Sequence, residues 1–198
     1  MENHLRLSGA EAMMHDTRLD AAGWFETVTR LPSPNFDARP AGSEPDLLVV
    51  HAISLPPGHF GGHFIEDLFL NRLDPAAHPY FREIASLRVS AHLLVRRSGE
   101  VTQFVALPDR AWHAGVSRFE GRSACNDFSI GIELEGDDHG PFEAAQYTAL
   151  AALIGCIVRR YPRITPGRIV GHSDVAPGRK TDPGPYFDWG HLHALLGA

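Results

Sequence analysis

Near the C-terminus, residues 171–184 read GHSDVAPGRKTDPG and gather three side chains able to do chemistry at a divalent metal. His172 and Asp182, ten residues apart, offer an imidazole nitrogen and a carboxylate oxygen, both common zinc ligands. Lys180 stands two residues before Asp182 and is the only lysine in the chain. A lysine beside a metal can polarise a carbonyl and stabilise an oxyanion. Catalytic zinc typically keeps three protein ligands and leaves a position for water, so a third ligand has to come from elsewhere. His51 ends an apolar run and is placed for that role, although a half-buried histidine bonded to a backbone carbonyl would look the same. Hydrolysis also needs a base. The stretch FSIGIELEG, residues 128–136, supplies Glu133 and Glu135, two apart and so on one face of a strand. A carboxylate among such apolar neighbours is costly unless paired or functional. A solvent-facing pair at a strand end is the plain alternative.

These side chains need rigid supports. Residues 46–54 (DLLVVHAIS) form a continuous apolar run, the pattern of a strand buried on both faces. His51 lies towards its C-terminal end, where open sheets carry functional groups. Residues 128–134 predict another strand, and residues 92–97 and 101–106 predict a hairpin about Ser98-Gly99-Glu100. Over residues 143–161, Tyr147, Leu150, Ile154, Ile157 and Val158 recur at helical spacing, and Pro162 stops the helix. Shorter helices are predicted over 20–30, about 64–71, part of 74–87, and 188–196. The stretch 171–184 holds three glycines and two prolines and predicts an ordered loop. Strands interleaved with helices around one core imply an α/β fold, a single domain with a central mixed β-sheet flanked by helices. His59 and His63, separated by Gly61 and Gly62, are expected at the surface. His92 and His113 are expected to pack or to orient a ligand from behind. Trp112 is either a stacking platform for a sugar or peptide, or a core tryptophan.

The 198 residues are 43% hydrophobic and 21% charged, enough for one substantial domain. With 18 basic and 24 acidic residues the net charge is −6, which gives no general attraction for nucleic acid or an anionic membrane. Cys125 and Cys156 are too few for a disulfide framework and suit a reduced compartment. Nothing near the N-terminus has the apolar core of a secretory signal, and no run reaches membrane-spanning length. A soluble, cytoplasmic monomer is the expectation, with residues 1–20 a flexible leader and residues 21–198 the functional domain. Twelve histidines exceed what packing needs in a chain of this size and hint at metal or acid/base chemistry.

From about Trp24 to Leu195 the chain carries, in order, RLPSPNFDARP, LLVVHAISLPPGHFGG, DPAAHPYF, LRVSAHLLVRRSGE, RAWHAGVS, CNDFSIGIELEG, RYP and GHSDVAPGRKTDPGP. In these blocks it resembles the AmpD-type N-acetylmuramoyl-L-alanine amidases of the type 2 amidase and peptidoglycan-recognition-protein superfamily. The resemblance implies a zinc amidohydrolase, with Zn2+ held by His51, His172 and Asp182, Glu133 as general base and Lys180 as transition-state stabiliser. It implies a 1,6-anhydro-N-acetylmuramyl peptide from cell-wall turnover as substrate, cut between the lactyl group and L-alanine, and the link to β-lactamase regulation that the family has in some bacteria. Arg88 and Trp112 match positions near the substrate in that family. Two positions depart from its pattern: Ala52 replaces a frequent Asn and Ala124 a frequent Arg, and Arg122 is a candidate to substitute for the latter. These departures bear on peptide preference rather than on the reaction. Two other classes compete. A non-catalytic peptidoglycan-recognition module typically lacks a zinc ligand, which this chain does not. A glycosidase would use Glu133 and Glu135, but same-face neighbours cannot flank a sugar bond as that chemistry requires.

Overall fold

The computed structural model describes residues 17–197. They form a six-stranded mixed sheet in the order β1 (Thr29–Arg30), β5 (Val101–Gln103), β4 (Leu93–Val95), β9 (Ser129–Glu135), β3 (Leu47–Ile53) and β10 (Ile169–Gly171). Within this sheet only β4 and β5 pair antiparallel, as the hairpin about Gly99; the other neighbours are parallel. Two small antiparallel pairs stand apart: β2 (Phe36–Asp37) with β6 (Arg110–Ala111), and β7 (Arg118–Phe119) with β8 (Arg122–Ser123). The helices are α1 (Phe64–Phe69), α2 (Phe81–Ile84), α3 (Ala144–Arg160), α4 (His172–Val175) and α5 (Trp189–Leu196). None of them is long and apolar enough to cross a membrane.

Side-chain alternation along the central strands divides the molecule. Leu48 and Val50 of β3, with Ile130, Ile132 and Leu134 of β9, join Leu150, Leu153, Ile154 and Ile157 of α3 in the main core. Each such fully buried aliphatic side chain contributes about 1.5–3 kcal/mol. Leu47 and Val49 face the other way, packing with Ala114, Cys125, Phe128 and Val175. A capping box between Glu143 and Gln146 starts α3, and the buried Gln146 amide donates to the Val95 and Glu135 carbonyls, locking the helix to the sheet.

Two expectations are corrected. Residues 20–30 are not helical: Asp20 Oδ1 accepts from the Trp24 backbone N–H at 2.9 Å, closing a turn instead. Gly23 continues that turn at φ +86°, where any Cβ would lie 2.4 Å from Pro108 Cδ. The stretch 171–184 is not loop throughout, because Gly171 ends β10 and residues 172–175 make one helical turn before the loop begins. Of the expected leader, residues 1–16 lie outside the described residues. Thr17 is buried, and Leu19 bridges to Phe25 and packs on the main core.

Candidate metal centre and active-site cleft

Strand register brings the chemistry together. On β3 and β9, His51 is directly opposite Glu133, and on the other side of β3, Val50 is opposite Gly171 of β10. His172, the next residue, therefore emerges level with His51. Because β9, β3 and β10 run parallel, these residues all emerge at the C-terminal edge of the sheet, where open α/β sheets bind ligands. His51 and Glu133 lie on the face opposite α3, continuing the alternation of Leu47 and Val49 and of Ser129 and Gly131. Asp182 is carried back by the loop after α4, and its carbonyl accepts from the Ser173 N–H at 2.9 Å.

Three donor atoms converge. His51 Nδ1 lies 2.9 Å from His172 Nδ1 and 3.2 Å from Asp182 Oδ2, and His172 Nδ1 is 3.0 Å from the same oxygen. Hydrogen bonds cannot satisfy all three edges of this triangle. Each Nδ1 carries at most one proton and the carboxylate carries none, so two protons at most must serve three contacts. A cation at the centre satisfies every lone pair at once. The triangle is close in size to a face of a tetrahedral zinc site, about 3.4 Å on an edge for bonds of about 2.0–2.2 Å. Two imidazoles and a carboxylate are zinc donors, so the residues fit the ion. No other group of this kind is found among the described residues.

The electrostatics agree. Burial, partly offset by Asp182, holds the His51 imidazole down to about 4, so it is neutral at physiological pH, as a ligand must be. Burial alone would raise Asp182, but its contacts with His172 and His51 outweigh that and hold the carboxyl well below the usual range. Glu133 is the opposite case: burial and then the Asp182 charge push it well above the usual carboxylate range, with Lys180 opposing. Its Oε2 is the only buried side-chain polar atom among the described residues without a hydrogen-bond partner.

These groups line a cleft of about 760 Å3 that also includes Lys180 and Trp112. The Trp112 indole N–H donates to Asp37 Oδ1 at 3.2 Å, and Arg110 grips that carboxylate with two bonds of 2.6 Å. Leu55, Tyr80, Ile84 and Leu87 add apolar surface to the same lining. Glu135 is not a partner for Glu133. It accepts from Arg96 at 2.7 Å, the Gly61 N–H at 2.6 Å and the Arg97 N–H at 3.2 Å, pinning the loop whose Pro57 and Gly58 form part of the cleft wall. Arg88 lies outside the lining, bonded to the Ser86 and Leu87 carbonyls, although Leu87 and Val89 on either side belong to it. Arg122 is engaged elsewhere: it bonds Asp46 at 2.7 Å and stacks 3.6 Å over the Phe128 ring, outside the lining. Ala52 lines the cleft, whereas Ala124 starts the turn Cys125–Asp127 at φ +58°. His59 and His63 are exposed, as expected.

Sequence reasoning passed over two residues. Arg179 reaches from the ligand loop to the Ala114 carbonyl at 2.5 Å and the Val116 carbonyl at 2.8 Å. Asn126 accepts through Oδ1 from the backbone N–H groups of His113 and Ala114. Arg179 is marked in the sequence only by adjoining Lys180. Asn126 is marked by nothing, because its partners are more than ten residues away.

Residues 41–185 match the family model described as N-acetylmuramoyl-L-alanine amidase. The chain belongs to this amidase family. The 1,6-anhydro-N-acetylmuramyl-L-alanine amidase AmpD of Enterobacter cloacae is 57% identical over 174 residues, which are 88% of this chain and 92% of that protein. A crystal structure of a Se-Met AmpD derivative superposes with a TM-score of 0.87 at 56% identity, covering 90% of this amidase and 98% of the other chain. AmpDh3 from Pseudomonas aeruginosa, solved in complex with anhydromuramic pentapeptide, matches with a TM-score of 0.56 at 34% identity, over 76% of this chain and 59% of its own. The amidase is thus an enzyme of the AmpD type, with the single mixed-sheet α/β domain of its structural relatives.

Proposed function

We propose that this amidase hydrolyses the amide between the lactyl group of 1,6-anhydro-N-acetylmuramic acid and L-alanine in cytoplasmic cell-wall turnover products. His51, His172 and Asp182 would hold zinc, which supplies Lewis acidity and lowers the pKa of water. Glu133 takes a proton from the attacking water through its carboxylate as the new C–O bond forms at the lactyl carbonyl. The same proton then goes to the alanine nitrogen as the C–N bond breaks, so the base is returned ionised. Lys180, which lines the same cleft, would bring its ammonium to the oxyanion that develops. Trp112, its indole fixed by Asp37, offers a face for the sugar or peptide.

The observation that carries this reading is the donor triangle beside an unpartnered buried carboxylate oxygen. The choice of an anhydro-muropeptide follows the AmpD relatives and the pentapeptide bound by AmpDh3. Mass spectrometry of a digested anhydro-muropeptide tests it, with free peptide plus anhydro-sugar as the expected products. A cleaved glycosidic bond, or an intact muropeptide with zinc supplied, would overturn it.

A further inference from the structure

A histidine can bind a metal through Nδ1 only if it carries its remaining proton on Nε2. For His172, Nε2 lies 3.2 Å from the Ala114 carbonyl, which can only accept, and 3.4 Å from Arg179 Nη2, which gives its closer bonds to the Ala114 and Val116 carbonyls at 2.5 and 2.8 Å; the ring is therefore set with its Nδ1 lone pair towards the donor triangle. For His51 the partner is a second imidazole: its Nε2 lies 2.9 Å from His113 Nδ1, which can accept or donate. His113 Nε2 in turn lies 3.1 Å from the Ser129 hydroxyl. One direction of this chain suits a metal. His113 donates from Nε2 to Ser129, its Nδ1 is left as an acceptor, and His51 donates from Nε2. The reverse direction would put the His51 proton on Nδ1, inside the triangle.

The position of His113 is built into the strand behind it. Its ring lies over Gly131 of β9, where a Cβ would fall 2.4 Å from His113 Cγ, so only glycine leaves room for it. The backbone of the dipeptide is clamped as well, because Asn126 Oδ1 accepts from the N–H groups of both His113 and Ala114, at 3.2 and 2.8 Å. His113 and Ala114 therefore stand behind the two ligand histidines as one rigid unit.

We infer that His113 is the positioning residue of the metal centre: its Nδ1 accepts the Nε2 proton of His51 and keeps His51 Nδ1 open to the ion. The adjoining Ala114 carbonyl does the same for His172. This rests on the reading of His51, His172 and Asp182 as zinc ligands. The test is zinc affinity of the full chain by chelator competition, alongside thermal unfolding of the metal-free protein. His113→Leu removes the acceptor and is expected to weaken zinc binding about 10–100-fold. His113→Asn places an amide oxygen where Nδ1 was and is expected to restore most of that affinity, which a purely structural role would not require. Ser129→Ala leaves His113 Nε2–H without its acceptor and is expected to weaken zinc several-fold. Wild-type affinity in His113→Leu overturns the inference, and so does a loss that asparagine leaves uncorrected. Should His113→Leu fail to fold, Ser129→Ala decides, and unchanged affinity there is equally fatal. Failure of the wild-type protein to bind zinc would instead sink the metal-centre reading itself.

Discussion

A carboxyl group buried beside a second carboxylate is driven towards its neutral form unless a cation stands nearby. Glu133 is in that position, between the Asp182 charge that raises it and the Lys180 charge that lowers it. Its unpartnered Oε2 is costly as structure and useful as a proton acceptor. Glu133→Gln keeps the shape and removes the base, so kcat should fall by about 10²–10⁴ with zinc content unchanged. Turnover of an anhydro-muropeptide paired with metal analysis checks this, and near wild-type turnover would remove Glu133 from the mechanism. Lys180 is exposed, so Lys180→Met should leave stability within about 0.5 kcal/mol while lowering kcat by about 10²–10³. A loss confined to KM would instead make it a substrate-binding residue. These residues stood out in the sequence because each broke a local pattern: a histidine and a glutamate in apolar strands, and a lone lysine in a chain of arginines. The role of Glu135 did not stand out. It depends on Arg96 and Gly61, brought to it only by the fold.

At the level of elements, β9 carries two kinds of polar residue on one buried face, and they do different things. Glu133 opens to the cleft, whereas Glu135 holds the Pro57–Gly62 loop against the sheet through Gly61 and through Arg96, which also bonds the Gly62 carbonyl and Glu66. Removing one partner of a buried ion pair strands the other, typically at about 3–5 kcal/mol. Arg96 keeps Glu66, so Glu135→Ala should cost towards the low end, about 3 kcal/mol in urea unfolding. It should also raise KM with little change in zinc affinity, because it is the cleft wall that loosens. Unchanged stability would show that the loop is anchored by something else. The elements that sequence pattern identified are β3, β9, the β4–β5 hairpin, α1, α2, α3 and α5, each marked by an apolar run, a turn signal or helical periodicity. Strands β1, β2, β6, β7 and β8 are two residues each, too short for any periodicity, and exist because longer elements supply their partners. Strand β10 is three residues, and only its pairing with β3 brings His172 level with His51.

For the whole molecule, burying neutral imidazoles ties stability to pH. His92 is fully buried, with Nδ1 accepting from the Gly131 N–H at 3.0 Å and Nε2 3.1 Å from the Asp109 carbonyl and 3.2 Å from the Arg39 guanidinium. Burial, helped by the Arg39 charge, holds it down to about 3, against an ordinary value of 6.5. Between those two values the unfolded chain binds a proton that the folded chain refuses. Stability therefore falls as pH drops from 6.5 towards 3, by up to about 1.4 kcal/mol per pH unit for this histidine, and the loss stops below the lower value. His51, held down to about 4, adds to the same slope in the metal-free protein, and Glu133, held up by burial, offsets part of it, because its folded form takes a proton before the unfolded chain does. Zinc should steepen it, because protons compete with the metal for His51 and His172 while bound metal stabilises the fold by mass action, about 4 kcal/mol at 1,000 times its Kd. Urea midpoints of the metal-free protein at pH 7, 6, 5 and 4 are thus expected to decline steadily, and those of the zinc-loaded protein to start higher and converge on them as the metal is displaced. His92→Gln should flatten the metal-free decline by up to one proton's worth, even if its midpoint at pH 7 is lower. A flat profile in the wild-type metal-free protein would mean that these imidazoles accept protons in the folded state, which their burial forbids.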